Sequence, residues 1–411
     1  MRTVIGVVVC LAAGCGDVQK IPDSGTDIDA SAGDAAALPT APPVTNGQFA
    51  DLAIGVPDLV TRTSGTTADT SQSAGGLCTA ASHLWISDLS NARVLQLNAP
   101  PLVFSADADL AIGQKTLTAE APGPTDILLT PPEVFYDNSG DVGCDGTRVV
   151  VADTAANRVL IWNAVPSASG APFNVVLGQT TTTGGAAGTS ASMLSSPRGV
   201  WTDGTRLIVA DSGNHRVLIW SSLPTTNGAP ADVVLGQASF NVAAAPQPPT
   251  PSSMNNPVDV FFDGERLYVS DSDNNRVMGW NGMPTQNNQP AEFFVGQNGG
   301  STGGPNASAG SQEPNAIGLH LPTQITVAHG SLYIIDTVNF RAVVHTPRPT
   351  TSGEPADAVL GDSDFVGTKV TDSQTLTPRG LVVLGDKLWL SDSNLATGGS
   401  RVLRYSLTNL P

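Results

Sequence analysis

Charge is scarce in this chain. Only 13% of its 411 residues are charged, and the basic sign is the rarer, 19 Lys and Arg against 36 Asp and Glu. A formal net charge of -17 leaves no basic stripe to neutralise phosphates, which excludes nucleic acid as a partner. The shortage of Glu, Lys and Arg also excludes coiled coils and helical bundles. Aromatic residues make up 5%, and past the N-terminal segment no apolar run is long enough to span a bilayer. There is no Gly-x-Ser-x-Gly elbow, phosphate loop or His-Glu-x-x-His pair. His83, His320, His329 and His345 share no spacing, so they give a zinc site no support. Glycine (43) and proline (31) are plentiful, and they punctuate short Val, Leu and Ile runs. That is the composition of turns and strands, hence of an all-β protein.

The first residues read as an address. Met1 and Arg2 precede an apolar stretch from Thr3 to Ala13 that ends in Gly14-Cys15. Leu11-Ala12-Ala13-Gly14-Cys15 resembles the lipobox of bacterial lipoproteins, in which the signal is cut before a cysteine that receives the lipid. The resemblance implies lipidation of Cys15, a cell-envelope location and contact with membrane only through that anchor. In the family a Leu stands three residues before the cysteine; here Ala12 does, and an ordinary secretory signal on an exported soluble protein is the alternative. Residues 1–15 are thus assigned to the signal and residues 16–48, acidic and poor in large apolar groups, to a disordered linker.

Residues 49–411 are repetitive. Gly199 to Asp211 is echoed by Asp259 to Asp271, by Gln324 to Asp336 and by Gly380 to Asp392, with looser copies ending at Asp88 and Asp153. Each copy holds two short apolar strands around a Gly-containing turn. The terminal Asp is followed five residues on by Arg in the pairs Asp88–Arg93, Asp153–Arg158, Asp211–Arg216, Asp271–Arg276 and Asp336–Arg341. In the last copy a longer loop delays the partner of Asp392 to Arg401. A third strand such as Arg216-Val217-Leu218-Ile219-Trp220 follows, then a fourth such as Val233-Val234-Leu235-Gly236-Gln237. Four strands per unit and six units predict a six-bladed β-propeller.

Pro197-Arg198-Gly199-Val200 with Ala210-Asp211-Ser212-Gly213-Asn214-His215-Arg216-Val217 resembles an NHL repeat. The family implies a propeller and leaves function open, since it includes scaffolds, binding modules and a few enzymes. The units are out of phase with the chain: Leu52-Ala53-Ile54-Gly55 is a fourth strand with no blade before it, and the unit ending at Leu407 lacks a fourth strand. Pairing the two closes the ring and removes a free edge.

Recurrence of the Asp–Arg pairs in every unit assigns them to turn structure rather than catalysis. Trp85 and Trp389 occupy matching strand positions, as do Trp162, Trp220 and Trp280, and all read as packing between blades. Cys78 and Cys144 fall in adjacent blades, Cys144 in an apparent insertion in the second hairpin. In an exported protein they form a disulfide; two buried free thiols are the alternative.

Symmetry breaks twelve residues before the turn Asp, at the inner end of the first strand. Gly76, Gly199 and Gly380 stand there in three units, Asp259 and Gln324 in two, and Glu133 in the second once an insertion is removed. Oxygen ligands converging on an axis suit calcium, bound by Glu133 and Asp259, or a polar ligand group, with Gln324, Arg198 and Arg379 completing the channel mouth. Propeller lactonases and related hydrolases place a metal at such a mouth, which makes a calcium-assisted hydrolase or lyase one reading. The leading one is a binding module for a protein or polar glycan, on long loops rich in Thr, Ser, Gly and Asn. A scaffold without ligand is the third.

Overall fold

The computed structural model describes residues 39, 41–54, 56–57, 59, 67, 74–80, 82–98, 103, 106–118, 140–307, 313–366, 376–394 and 399–410. The signal, Cys15, Glu133 and most of the linker lie outside them. Blade 1 is β2 (Ala74–Ala80), β3 (His83–Asp88), β4 (Arg93–Asn98) and β5 (Leu110–Ile112); blade 2 is β6 (Val142–Cys144), β7 (Val149–Asp153), β8 (Arg158–Trp162) and β9 (Val175–Leu177). Blade 3 is β10 (Pro197–Thr202), β11 (Leu207–Asp211), β12 (Arg216–Trp220) and β13 (Val233–Leu235). Blade 4 is β14 (Pro257–Phe262), β15 (Leu267–Asp271), β16 (Arg276–Trp280) and β17 (Phe293–Val295). Blade 5 is β18 (Pro322–Ala328), β19 (Ser331–Asp336), β20 (Arg341–His345) and β21 (Ala358–Leu360). Blade 6 joins β22 (Pro378–Leu384), β23 (Lys387–Asn394) and β24 (Gly399–Ser406) to β1 (Leu52–Ile54). The six sheets, each of four antiparallel strands, form a β-propeller.

Both faces of a blade are dry, and the strands show why. In blade 3 Leu207, Val209, Leu218 and Trp220 pack toward blade 2, while Ile208, Ala210, Val217 and Ile219 pack toward blade 4. Successive side chains of a strand alternate between faces, so a continuous apolar run feeds two seams at once. Each Val, Leu or Ile among them contributes roughly 1.5–3 kcal/mol of burial.

The outermost strand of each blade is an edge, and in blades 1 to 5 the next blade covers it. In blade 3 the loop between third and fourth strands sends Gly228 N–H to Val176 O (2.9 Å), and Asn227 Oδ1 accepts Val176 N–H (3.0 Å). Asn287 and Asn288 do the same to Val234 of β13, and Ser352 and Gly353 to Phe294 of β17. Both hydrogen-bonding groups of the central edge residue are thereby taken, which blocks strand addition.

Closure uses the same device. β1 pairs with β24 in the register Leu52↔Arg404, Ala53↔Leu403, Ile54↔Val402. Upstream, Asn46 Oδ1 accepts Val359 N–H (2.9 Å) and Gly47 N–H donates to Val359 O (3.3 Å), so Asn46-Gly47 clips blade 5 as Asn227-Gly228 clips blade 2. Val44 is fully buried, and Pro43 O accepts Thr408 N–H. The linker boundary at residue 48 is therefore corrected: residues 43–48 are part of the ring.

Cys78 and Cys144 form a disulfide with Cα atoms 5.8 Å apart, joining the innermost strands of blades 1 and 2. Cys144 ends β6 itself and pairs with Val149, so the hairpin of blade 2 carries no insertion. The bridge lies at a seam that lacks a latch found elsewhere. After the turn, Asn157 Oδ1, His215 Nδ1 and Asn275 Oδ1 accept N–H groups of Ser196, Asn256 and Leu321 on the following blade. Blade 1 has Ala92 at that position, which offers no such acceptor.

Two measurements test this account. Truncation through Gly47, which leaves β1 intact, is expected to lower the melting temperature, and Asn46→Ala to cost about 1 kcal/mol; unchanged thermal unfolding would contradict the clip. Reduction of the disulfide, which spans 66 residues, is expected to cost about 4 kcal/mol by chain entropy, read from denaturant midpoints with and without reductant alongside intact mass.

Candidate functional site

Among the described residues six buried Asp–Arg ion pairs organise the turns between the second and third strands. Arg Nε lies 2.7 Å from Asp Oδ2 in Asp88–Arg93, Asp211–Arg216, Asp271–Arg276 and Asp392–Arg401, 2.5 Å in Asp153–Arg158 and 2.8 Å in Asp336–Arg341. In blades 1 to 4 a single 3-10 turn runs between Asp and Arg and ends in a left-handed residue, such as His215 at φ 53°. In blades 1, 3, 4 and 5 an Asn in the turn donates to the same carboxylate oxygen, as Asn214 does to Asp211 (2.8 Å). The other oxygen accepts a loop N–H: Ser195 to Asp211, Asn255 to Asp271, His320 to Asp336 and Thr377 to Asp392, each at 2.7 Å. Burial pushes the carboxyls of Asp211, Asp271 and Asp336 up, and the adjacent guanidinium with these donors opposes it.

The remaining guanidinium nitrogens reach two loops. Arg216 donates to Thr189 O (2.7 Å), Ser190 O and Met193 O (both 3.0 Å) on one side and to Phe240 O on the other. Arg276 binds Thr250 O (3.0 Å) and Ser253 O (2.9 Å) before it and Gly300 O (2.7 Å) after it. Arg341 binds Asn315 O (2.9 Å), Gly318 O (3.2 Å) and Phe365 O (2.7 Å). The glutamine after the fourth strand adds a further tie: Gln237 donates to His215 O (2.9 Å) and Ala244 O (2.7 Å), and Gln179 to Asn157 O and Ala186 O. Sequence reading noticed these glutamines only as part of the fourth-strand repeat. Their fixed place after the Gly was the signal for this role.

At the axis the register corrects one assignment. Ala152 N–H bonds to Asp141 O and Val142 pairs with Val151, so the residue twelve before Asp153 is Asp141 by plain counting. Asp141 holds the axial position of blade 2, and Glu133, to which the sequence assigned that position and a share in calcium, lies outside the described residues.

Asp141, Asp259 and Gln324 are 7%, 5% and 8% exposed. Each spends its side chain on the next blade. Asp141 Oδ2 faces Val200 N–H (3.5 Å), Asp259 Oδ2 accepts Ile325 N–H (2.8 Å), and Gln324 Oε1 accepts Leu381 N–H (2.6 Å). The first oxygens of Asp141 and Asp259 accept the N–H of Val142 and Val260 (both 2.8 Å), and Gln324 Nε2 crosses the axis to Asp141 Oδ1 (2.9 Å). The glycines between them are required by crowding. A Cβ on Gly199 would sit 2.5 Å from Asp259 Cα, and one on Gly76 would collide with the Asp141 carboxylate.

Burial pushes the Asp141 carboxyl up to about 7, against the pull of the N–H groups and Gln324. Asp259 is pushed well up by burial and then by the charge of Asp141. Neither Arg198 nor Arg379 figures among these influences. Both are half-buried, one residue before Gly199 and Gly380 on blades 3 and 6. Among the described residues no three His, Cys, Asp or Glu side chains gather to hold a metal ion, and no helix is long and apolar enough to cross a membrane.

These features define a six-bladed β-propeller with loops pinned by buried arginines and an axis filled by its own side chains. No family model matches the chain, and no curated protein matches it. Among solved structures it is similar to a streptogramin B lyase, at 12% identity and TM-score 0.43 over 85% of this chain and 97% of that one. It is also similar to the PQQ-bound aldose sugar dehydrogenase of Streptomyces coelicolor, at 14% identity and TM-score 0.46 over 86% and 100%.

Removing one guanidinium leaves a buried carboxylate unpaired and orphans loop carbonyls. Arg216→Met is expected to cost about 3–5 kcal/mol in a urea titration. Arg216→Lys is expected to recover less than half of that, because an ammonium cannot span the carboxylate and both loops. Full recovery by Lys would show that charge alone suffices.

Proposed function

We propose that the protein is an exported, lipid-anchored NHL-type propeller that binds a protein or polar glycan at the cell envelope. The observation that carries this reading is the fastening of the long loops around the channel mouth by buried Arg and Gln side chains. A loop already held in one shape loses little entropy on meeting a partner, so polar contacts made by it contribute to affinity instead of to ordering. Thr181, Thr183, Asn241 and Gln247 are exposed on those pinned loops. Hydroxyl and amide groups on a rigid support suit a hydroxylated, uncharged surface better than an apolar small molecule. The disulfide fits an oxidising compartment, which supports export. The axial carboxylates are engaged by backbone N–H groups, and this favours binding over a reaction at the axis.

The test is a glycan array probed with residues 41–411, followed by calorimetry with each sugar retained. The expected result is saturable binding that is lost when Thr181, Thr183, Asn241 and Gln247 are all replaced by Ala, with stability changed by less than about 1 kcal/mol. Binding unaffected by those substitutions would move the site off this face. A blank array together with no cross-linked envelope protein on intact cells would overturn the reading.

A further inference from the structure

We infer that Asp141, Gln324 and Asp259 form a proton-sensitive keystone that tightens the ring in acid and loosens it as the pH rises through neutrality. The inference is independent of what the loops bind. Its basis is placement: the three side chains sit on the innermost strands of blades 2, 5 and 4, and each reaches the innermost-strand backbone of the next blade. Gln324 is the crosspiece, accepting from Leu381 of blade 6 and donating to Asp141 of blade 2. Any repulsion between the two acids is therefore transmitted to the strands of blades 2 to 6.

Among the described residues no cation acts on the two acids strongly enough to offset their burial. On the six innermost strands the charged side chains are Asp141 itself, beside the start of β6, Asp259 on β14, Arg198 on β10 and Arg379 on β22; β2 and β18 carry none. Neither arginine figures among the influences on the two acids. The nearby turn aspartates each have their own arginine. The donors facing Asp141 are the N–H groups of Val142 and Val200 and the Gln324 amide, which stabilise a carboxylate without cancelling its charge. Two buried carboxyls in mutual repulsion hold a proton that each would release in water.

The direction of the effect follows from linkage. Below the ordinary carboxyl range both folded and unfolded chains are protonated, and the acids do not affect the balance. Above it the unfolded chain releases its protons while the folded ring retains them, until the pH passes the raised value of about 7 for Asp141. Stability from this group is therefore greatest in acid and falls as the pH rises toward neutrality, levelling off above about 7.

The experiment is urea unfolding across mildly acidic to mildly basic pH for the parent protein, Asp141→Asn and Asp259→Asn, with and without added calcium. Between the ordinary carboxyl range and neutrality the parent's unfolding constant is expected to rise by up to about tenfold per pH unit relative to Asp141→Asn. Equal pH slopes in parent and variants would overturn the inference. So would a calcium-dependent stabilisation of the parent that Asp259→Asn removes, since a cation would then neutralise the pair. Should either variant fail to fold, infrared spectroscopy of the folded parent decides. A protonated carboxyl band that fades around neutral pH is expected, and its absence throughout the range refutes the keystone.

Discussion

The whole upper half of the propeller depends on a buried guanidinium held by a buried carboxylate. Putting such a pair in a dry interior forfeits hydration of both ions, and geometry must return it through many hydrogen bonds. In blade 3 it does. Asp211 takes Arg216, Asn214 and the N–H of Ser195, and Arg216 then supplies the carbonyls of four loop residues. Because those carbonyls come from the loop before the blade and from the loop after it, one side chain determines the path of two connections. Long segments without regular structure would otherwise stay unfastened on a surface of strand ends.

The seams between blades are held by different means at different places, which matters more than their average. Blades 2, 3 and 4 each reach forward with Asn157, His215 or Asn275. Blade 5 has Phe340 at that place and blade 1 has Ala92; Phe340 carries no hydrogen-bonding group in its side chain, and it holds the left-handed conformation at φ 55°. Between blades 1 and 2 the covalent bridge stands where that polar latch is missing. Between blades 6 and 1 Ser391 Oγ donates to Gly75 O (2.7 Å). A chain rich in glycine and poor in charge thus fastens its seams with uncharged polar side chains and one disulfide.

Much of this was legible in the residues. The interval of five from Asp to Arg, the Gly-Gln ending of the fourth strand and the alternation of apolar runs were enough for the blade count and the closing strand. Two things were misread for physical reasons. Thr45-Asn46-Gly47 repeats Thr226-Asn227-Gly228, yet it sits beside a segment with the composition of a linker, and a hydrogen-bonding clip has no hydrophobic signature to lift it out. Asp141 was passed over for Glu133 because Asn138 to Gly146 looked like an insertion inside the hairpin; the hairpin is of ordinary length, and counting twelve from Asp153 needed no adjustment. The burial and coupling of Asp141 and Asp259 could not be read from sequence at all, since they arise from four blades meeting at one axis.

The clip between blades has a sense of direction. In blades 2 to 5 the loop of the later blade holds the outer strand of the earlier one, and Asn46-Gly47 carries the same relation to blade 5 across the gap between β24 and β1. Covalent order and mechanical order are therefore decoupled: the chain enters the ring within a loop of the very kind that joins third and fourth strands elsewhere. A circular permutant that joins residue 410 to residue 42 and opens the chain just ahead of Thr226-Asn227 would keep every clip and every strand pair, with blade 3 in place of blade 6 as the composite one. Opened just behind Gly228, the same permutant would tie the clip on blade 2 to β12 alone. To the ring, the position of the chain break is immaterial so long as it falls on the upstream side of the clip.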